Sequence, residues 1–188
     1  MMRSPPSMKL NFVTSNFHKA QELTQILGFS VELANLDIAE IQSLDIQEVA
    51  QAKAEAAFTQ LKKPVLVEDT SLEIAVLGNL PGTLIKFFLE QLGSEGICAL
   101  LKFHDNRQAL ATACFCLYDG QEFKFFVGKI AGQISMKPLG ESGFGWDNIF
   151  VPEGQDKTFA QLTAQEKNAI SHRRQALEKL KRFLLAQE

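Results

Sequence analysis

The apolar positions of this chain follow two periods. Lys9 to Thr14 (Lys-Leu-Asn-Phe-Val-Thr) predicts a short buried strand running into Ser15-Asn16, good helix N-cap residues. Phe17 to Leu27 has helical spacing, with Ala20, Leu23, Ile26 and Leu27 on one face, and Gly28 stops it. Phe29 to Leu36 predicts a second strand. Ile46 to Leu61, rich in alanine, glutamine and glutamate, predicts a second helix, ended by Pro64. Val65-Leu66-Val67 predicts a short central strand with Glu68 and Asp69 at its C-terminal end, where α/β folds usually place chemistry. Pro81 to Leu92 and Ser94 to Phe103 predict two more helices.

The period then changes. Ala109 to Ile134 alternates apolar and polar residues around Asp119-Gly120, a strong hairpin signal. Thr163-Ala164-Gln165-Glu166 fits a capping box. A last helix, Ser171 to Leu185, places Ala176, Leu177, Leu180, Phe183 and Leu184 on one face. Together the elements predict a mixed α/β protein with a long sheet, one domain over residues 1–188, with residues 1–7 flexible and Met8 a plausible start.

Composition narrows the function. The net charge of -3 disfavours a general nucleic-acid or membrane-surface role. The N-terminus lacks the apolar core of a signal peptide, and no apolar run reaches the roughly 20 residues of a membrane span. Three cysteines (Cys98, Cys114, Cys116) are too few and too irregular for a disulfide framework, so a reducing, cytoplasmic setting is expected. Cys114 and Cys116 share one face of a strand without further ligands and make no metal motif.

Four groups of residues carry candidate chemistry. Thr14-Ser15-Asn16-Phe17-His18-Lys19 lies at a strand-to-helix junction, where backbone N–H groups and the helix dipole favour an anion, although a plain capped helix would look the same. Glu68-Asp69-Thr70 offers adjacent carboxylates, costly on a buried strand unless a cation or water meets them. One of them with a distant acid such as Glu40 would suit Mg²⁺, which takes a few carboxylates plus phosphate oxygens. Lys86, after the Pro81-Gly82 turn, and Lys53, in the alanine-rich helix, read singly as surface lysines. The densest group is Phe144-Gly145-Trp146-Asp147 with Lys167, His172 and Arg173. Phe144 or Trp146 could stack on a base, at roughly 1–3 kcal/mol per stack. Asp147 could meet a ribose or phosphate, and the cations a ring carbonyl.

Taken in order, Phe12-Val13-Thr14-Ser15-Asn16 with Lys19, Pro64 to Thr70, Leu80-Pro81-Gly82 with Ile85-Lys86, Phe144-Gly145-Trp146-Asp147, and Glu166-Lys167-Asn168 with Ser171-His172-Arg173 resemble the inosine triphosphate pyrophosphatase family, most closely its eukaryotic-type branch. The resemblance runs from about Lys9 to Leu185. It implies an elongated mixed β-sheet with flanking helices and two lobes around a central nucleotide-binding cleft. It also implies a homodimer, and Mg²⁺ (or Mn²⁺) as cofactor. The implied reaction hydrolyses ITP, dITP and XTP to the monophosphate and pyrophosphate, cleansing the nucleotide pool.

By that resemblance Thr14 to Lys19 line the phosphate end, Glu40 and Asp69 hold the metal, and Asp69-Thr70 touch the substrate. Lys53 and Lys86 reach the triphosphate. Phe144, Gly145, Trp146, Asp147, Lys167, His172 and Arg173 form the nucleoside pocket, and Asp69 or Glu68 activates water. Ser15 stands where the family usually has glycine, which would strain the backbone by about 1–2 kcal/mol if the position needs positive φ. Three other readings compete: a nucleotide sensor without catalysis, a septum-associated pyrophosphatase of similar fold, and a structural protein assembling through Phe123, Phe125 and Phe126.

Overall fold

The computed structural model describes residues 10–186. The expected strand start at Lys9, the start at Met8 and the flexibility of residues 1–7 lie outside the described residues. The strands are β1 (Asn11–Val13), β2 (Glu32–Ala34), β3 (Val65–Ile74), β4 (Pro81–Gly82), β5 (Gln108–Tyr118), β6 (Phe123–Ile134) and β7 (Phe150–Pro152). The helices are α1 (Phe17–Leu27), α2 (Ile46–Leu61), α3 (Ile85–Leu100), α4 (Ala164–Ile170) and α5 (His172–Leu185). The strands form one mixed sheet in the order β2-β1-β3-β5-β6-β7, with β4 on β3. No helix among the described residues is long and apolar enough to cross a membrane.

The chain divides into two compact units. The first holds the chain up to Asp69, Ala113–Gly128 and the stretch from Arg173. Here β1 pairs in parallel with both β2 and β3. The period of two along a strand sorts its core. Phe12, Leu66, Phe115 and Leu117 join the cluster made with Leu23, Leu27, Leu177 and Leu180 of α1 and α5. Their neighbours Val13, Val65, Val67, Cys114 and Cys116 join the cluster made with Ala50, Ala54 and Ala57 of α2. The alanines of α2 therefore serve close packing. Burial pushes the thiols of Cys114 and Cys116 up to about 12, which keeps them protonated and unreactive.

The second unit holds Thr70–Thr112 and Lys129–His172. Its core gathers Leu72, Ile85, Ile97, Leu101, Ile134, Trp146, Phe150 and Phe159. Here β4 and β7 pair antiparallel with β3 and β6.

Three elements depart from expectation. The central strand is ten residues long and continues through Glu68, Asp69 and Thr70, because Ser71, Leu72 and Ile74 are buried and hold it in the sheet. The carboxylates therefore lie within the strand, not at its end. Pro81-Gly82 is a strand pair, and α3 begins only at Ile85, with the two expected helices joined end to end at a kink on Gly93 (φ 65°). Ser171 caps α4 in an extended conformation, so the last helix begins at His172 and not at Ser171. The capping box of Thr163 and Glu166 is present.

The Asp119-Gly120 turn closes on an aromatic group of the first unit. Tyr118 stacks on Phe123, and Phe58 of α2 meets Tyr118 edge-on at 5.1 Å. Gly120 sits at φ 96°, and a Cβ there would lie 2.4 Å from the Phe58 ring. We expect Gly120→Ala to lower stability by about 1–3 kcal/mol, from backbone strain and ring displacement together. Urea unfolding followed by fluorescence measures it, and an unchanged midpoint would refute the close packing of this turn.

Candidate active site

In the first unit the chemistry starts from β3. Successive residues point to opposite faces, so Glu68 follows Leu66 toward α1 and α5, and Asp69 follows Val67 toward α2. Glu68 is 2% exposed. Arg173 of α5 donates from Nε to Glu68 Oε1 at 2.7 Å, and Lys19 Nζ of α1 lies 3.7 Å from Glu68 Oε2. Arg173 also donates from Nη1 to Glu22 of α1. Burial disfavours the guanidinium charge, but Glu68 and Glu22 outweigh that and raise its pKa. Burial lowers the Lys19 pKa, and Glu68 opposes the shift.

Asp69 is half-buried. Its Oδ2 is enclosed and has no hydrogen-bond partner among the described residues. Burial raises its carboxyl to about 6, against Lys19 and Lys53, which lower it, while Glu40 and Glu68 push it further up. Lys53 of α2 bonds Glu40 at 2.6 Å. The charges around Asp69 are thus Lys19, Lys53, Glu40 and Glu68. No group of three or more His, Cys, Asp or Glu suited to a metal occurs among the described residues. Two carboxylates, one with a buried oxygen lacking a partner, instead fit a hard cation that takes its other ligands from water and phosphate.

The strand-to-helix junction is well capped. Thr14 Oγ1 accepts from the Asn16 N–H, and Asn16 Oδ1 accepts from the N–H groups of His18 (3.0 Å) and Lys19 (3.2 Å). The backbone donors expected to greet an anion are therefore occupied by Asn16. The side chains of Ser15, Phe17 and His18 are exposed there. Lys62 and Asn79 are the non-glycine residues with positive φ among those described, so Ser15 carries no such strain.

In the second unit the Phe144 loop is built on a buried ion pair. Lys167 of α4 donates to Asp147 Oδ2 at 2.6 Å, and the same oxygen accepts from the Phe144 N–H at 2.8 Å. Lys167 Nζ lies 4.7 Å from the Phe144 ring centre. Gly143 has φ 76°, and a Cβ there would fall 2.2 Å from Asp147 Oδ2, so only glycine lets the loop close on the carboxylate. A pocket of about 180 Å³ is lined by residues that include Gly143, Phe144, Gly145 and Asp147. Trp146 is 7% exposed and packs on Phe150, Phe159 and His172. It belongs to the core, whereas Phe144 is half-buried and lines the pocket.

The structure thus brings together Lys19, Glu68, Asp69, Lys53, Glu40 and Arg173 in the first unit, and Phe144, Gly145, Trp146, Asp147, Lys167 and His172 in the second. Thr70 is half-buried and Lys86 is exposed on the first turn of α3. Asp147 accepts from the Phe144 N–H and from Lys167, and Arg173 donates to Glu22 and Glu68. Glu22 escaped the sequence reading. Its signal was the spacing of three from Lys19, which puts both on one face of α1.

A prediction follows from Asp69. Its folded pKa of about 6 exceeds the unfolded value of 3.8, so its charge destabilises the fold. The penalty is present above about pH 6 and disappears as pH falls toward 4. We expect metal-free Asp69→Asn to be more stable than wild type by about 2–3 kcal/mol at pH 8 and equal to it near pH 4. Urea unfolding at the two pH values measures this; a constant difference would contradict the assigned cause.

The chain is similar to known proteins over nearly its whole length. The chain is 44% identical to inosine triphosphate pyrophosphatase of Yarrowia lipolytica, over 94% of this chain and 96% of that one. It is 42% identical to dITP/XTP pyrophosphatase of Methanopyrus kandleri, over 92% and 94%. The solved structure of a HAM1 protein from Coxiella burnetii superposes with a TM-score of 0.85 at 28% identity, over 95% of this chain and 99% of that one. Residues 10–183 match the Ham1 family model, and the chain belongs to the Ham1 family.

Proposed function

We propose that this protein is a metal-dependent nucleoside triphosphate pyrophosphatase that converts ITP, dITP and XTP to the monophosphate and pyrophosphate. The observation that carries the reading is Asp69, a carboxylate with an enclosed, unpartnered oxygen flanked by Lys19 and Lys53. That arrangement awaits a cation and a polyanion together. The similarity to pyrophosphatases over nearly the whole chain supports it. We take residues 1–188 as one functional domain, acting in the cytoplasm as a homodimer.

Glu40 and Asp69 would hold Mg²⁺, with Mn²⁺ able to replace it. When bound, the metal supplies positive charge to the phosphate oxygens. Lys19, Lys53 and Lys86 neutralise the triphosphate and orient it, and Thr14, Ser15, Asn16, Phe17, His18 and Thr70 line it. Glu68 is held by Arg173 and faces Lys19, so it fixes those cations in place. Asp69, with Oδ2 available, orients the water that attacks the α-phosphorus and accepts its proton. The bond to the β-phosphate breaks and pyrophosphate leaves.

The base stacks on Phe144, with Gly145 beside it and Trp146 and His172 packed beneath. Lys167, fixed by Asp147, donates to the carbonyl oxygen at ring position 6. Adenine presents an amino donor there, which would face the Lys167 ammonium donor to donor, and such a mismatch is how a polar site rejects an analogue strongly.

Product analysis with ITP, XTP, GTP and ATP plus Mg²⁺, separating pyrophosphate from orthophosphate, tests the reading. We expect monophosphate and pyrophosphate from ITP and XTP and little from the others. Asp69→Asn should lower turnover by about 10²-fold or more with the fold intact. Tight ITP binding without turnover would make the protein a sensor.

A further inference from the structure

We infer that Lys53 is a built-in competitor of the metal. In the metal-free protein its ammonium occupies the Glu40 carboxylate, and it passes to the phosphates only when metal and nucleotide arrive together. The inference rests on the assignment of Glu40 and Asp69 as metal ligands.

The geometry is specific to this pair. Lys53 Nζ sits 2.6 Å from Glu40 Oε1, with the lysine side chain 16% exposed and the glutamate 43%. A divalent cation on Glu40 would meet a like charge within a few ångströms, a repulsion that water at the exposed glutamate weakens without removing. The pair and the cation therefore exclude one another. Lys53 and Glu40 also act on Asp69 in opposite senses, which places all three in one field. Lys19 offers no equivalent device, because its carboxylate partner is Glu68, which is also held by Arg173.

Two consequences follow. Metal alone should bind weakly, since it must displace Lys53. A polyphosphate gives the displaced ammonium a new partner, so metal and nucleotide each strengthen the other's binding by the same factor. Lys53 would thus set the order of assembly, in addition to neutralising phosphate.

The test is Mn²⁺ titration of the nucleotide-free protein, reading free Mn²⁺ by electron paramagnetic resonance, with thermal melts to verify folding. Lys53→Met and Lys53→Gln should each tighten Mn²⁺ binding about three- to fivefold, the upper part of the range of an exposed ion pair. Lys53→Arg keeps the charge and should stay within about twofold of wild type. In a Glu40→Gln background, Lys53→Met should bring no gain. Unchanged or weaker Mn²⁺ binding in both charge-removing variants, with binding lost in Asp69→Asn, would overturn the competition and leave the metal site standing. Wild-type Mn²⁺ binding in both Glu40→Gln and Asp69→Asn would overturn the metal site itself, and the competition with it.

Discussion

Two consecutive carboxylates inside a central strand are the constraint on which the rest of the first unit depends. A strand continuing into the sheet cannot leave Glu68 in an apolar core without a counter-charge. The fold answers from α1 and α5 at once: Lys19, Arg173 and, behind Arg173, Glu22. Removing one member of such a buried set costs about 3–5 kcal/mol, because the remaining charge is stranded. The same interaction ties the start of the last helix to the first helix and to the strand between β1 and β5. Asp69, one residue on, faces the other way; Lys19 and Lys53 favour its charge, but its Oδ2 has no hydrogen-bond partner among the described residues. The difference between two neighbouring acids is therefore one of side, set by the period of the strand.

That period also explains which parts of the fold were legible. Both ends of α1 and α2 follow from local chemistry: Asn16 and Asp45 cap the starts, and Gly28 and Lys62 turn left-handed at the ends. The hairpin follows from Asp119-Gly120, where the Asp119 carboxylate accepts from the N–H groups of Gln121 and Glu122. The length of β3 was not legible, because Glu68-Asp69-Thr70 reads as polar and strand-ending. Its continuation depends on Leu72 and Ile74 finding a core drawn from α3, β5 and β6, far along the chain. Likewise Pro81-Gly82 reads as a turn until β3 is long enough to pair with it.

The candidate site divides in the same way. Residue types that must sit together for chemistry were visible as motifs, but their internal partners were not. Phe144 and Trp146 are two positions apart and equally aromatic; only the core made by Phe150, Phe159 and His172 decides that the tryptophan is packing. Asp147 looked like a ligand for substrate because it is acidic and flanked by glycines. Its Oδ2 receives two donors from the protein, the Phe144 N–H and the Lys167 ammonium, which no motif announced. Glu22 lies outside every motif and is found only by asking what satisfies the far side of a buried arginine.

Charge explains why composition alone pointed away from a polyanion. The first unit gathers three cations, Lys19, Lys53 and Arg173, against four carboxylates, Glu22, Glu40, Glu68 and Asp69. With all of them ionised the cluster is slightly negative, so it presents no basic patch, and the net charge of the chain stays at -3. Such a cluster repels a bare triphosphate and attracts a divalent cation. Adding the cation reverses the sign, and under the proposed function the phosphates would meet Lys19, which Glu68 already holds, and Lys53, released from Glu40. Preorganised cations need little reordering when the substrate arrives, which is where electrostatic stabilisation is most effective. Under the proposed function, selectivity for a metal-bound polyphosphate over simple anions would be a property of the whole charge set and not of any single lysine.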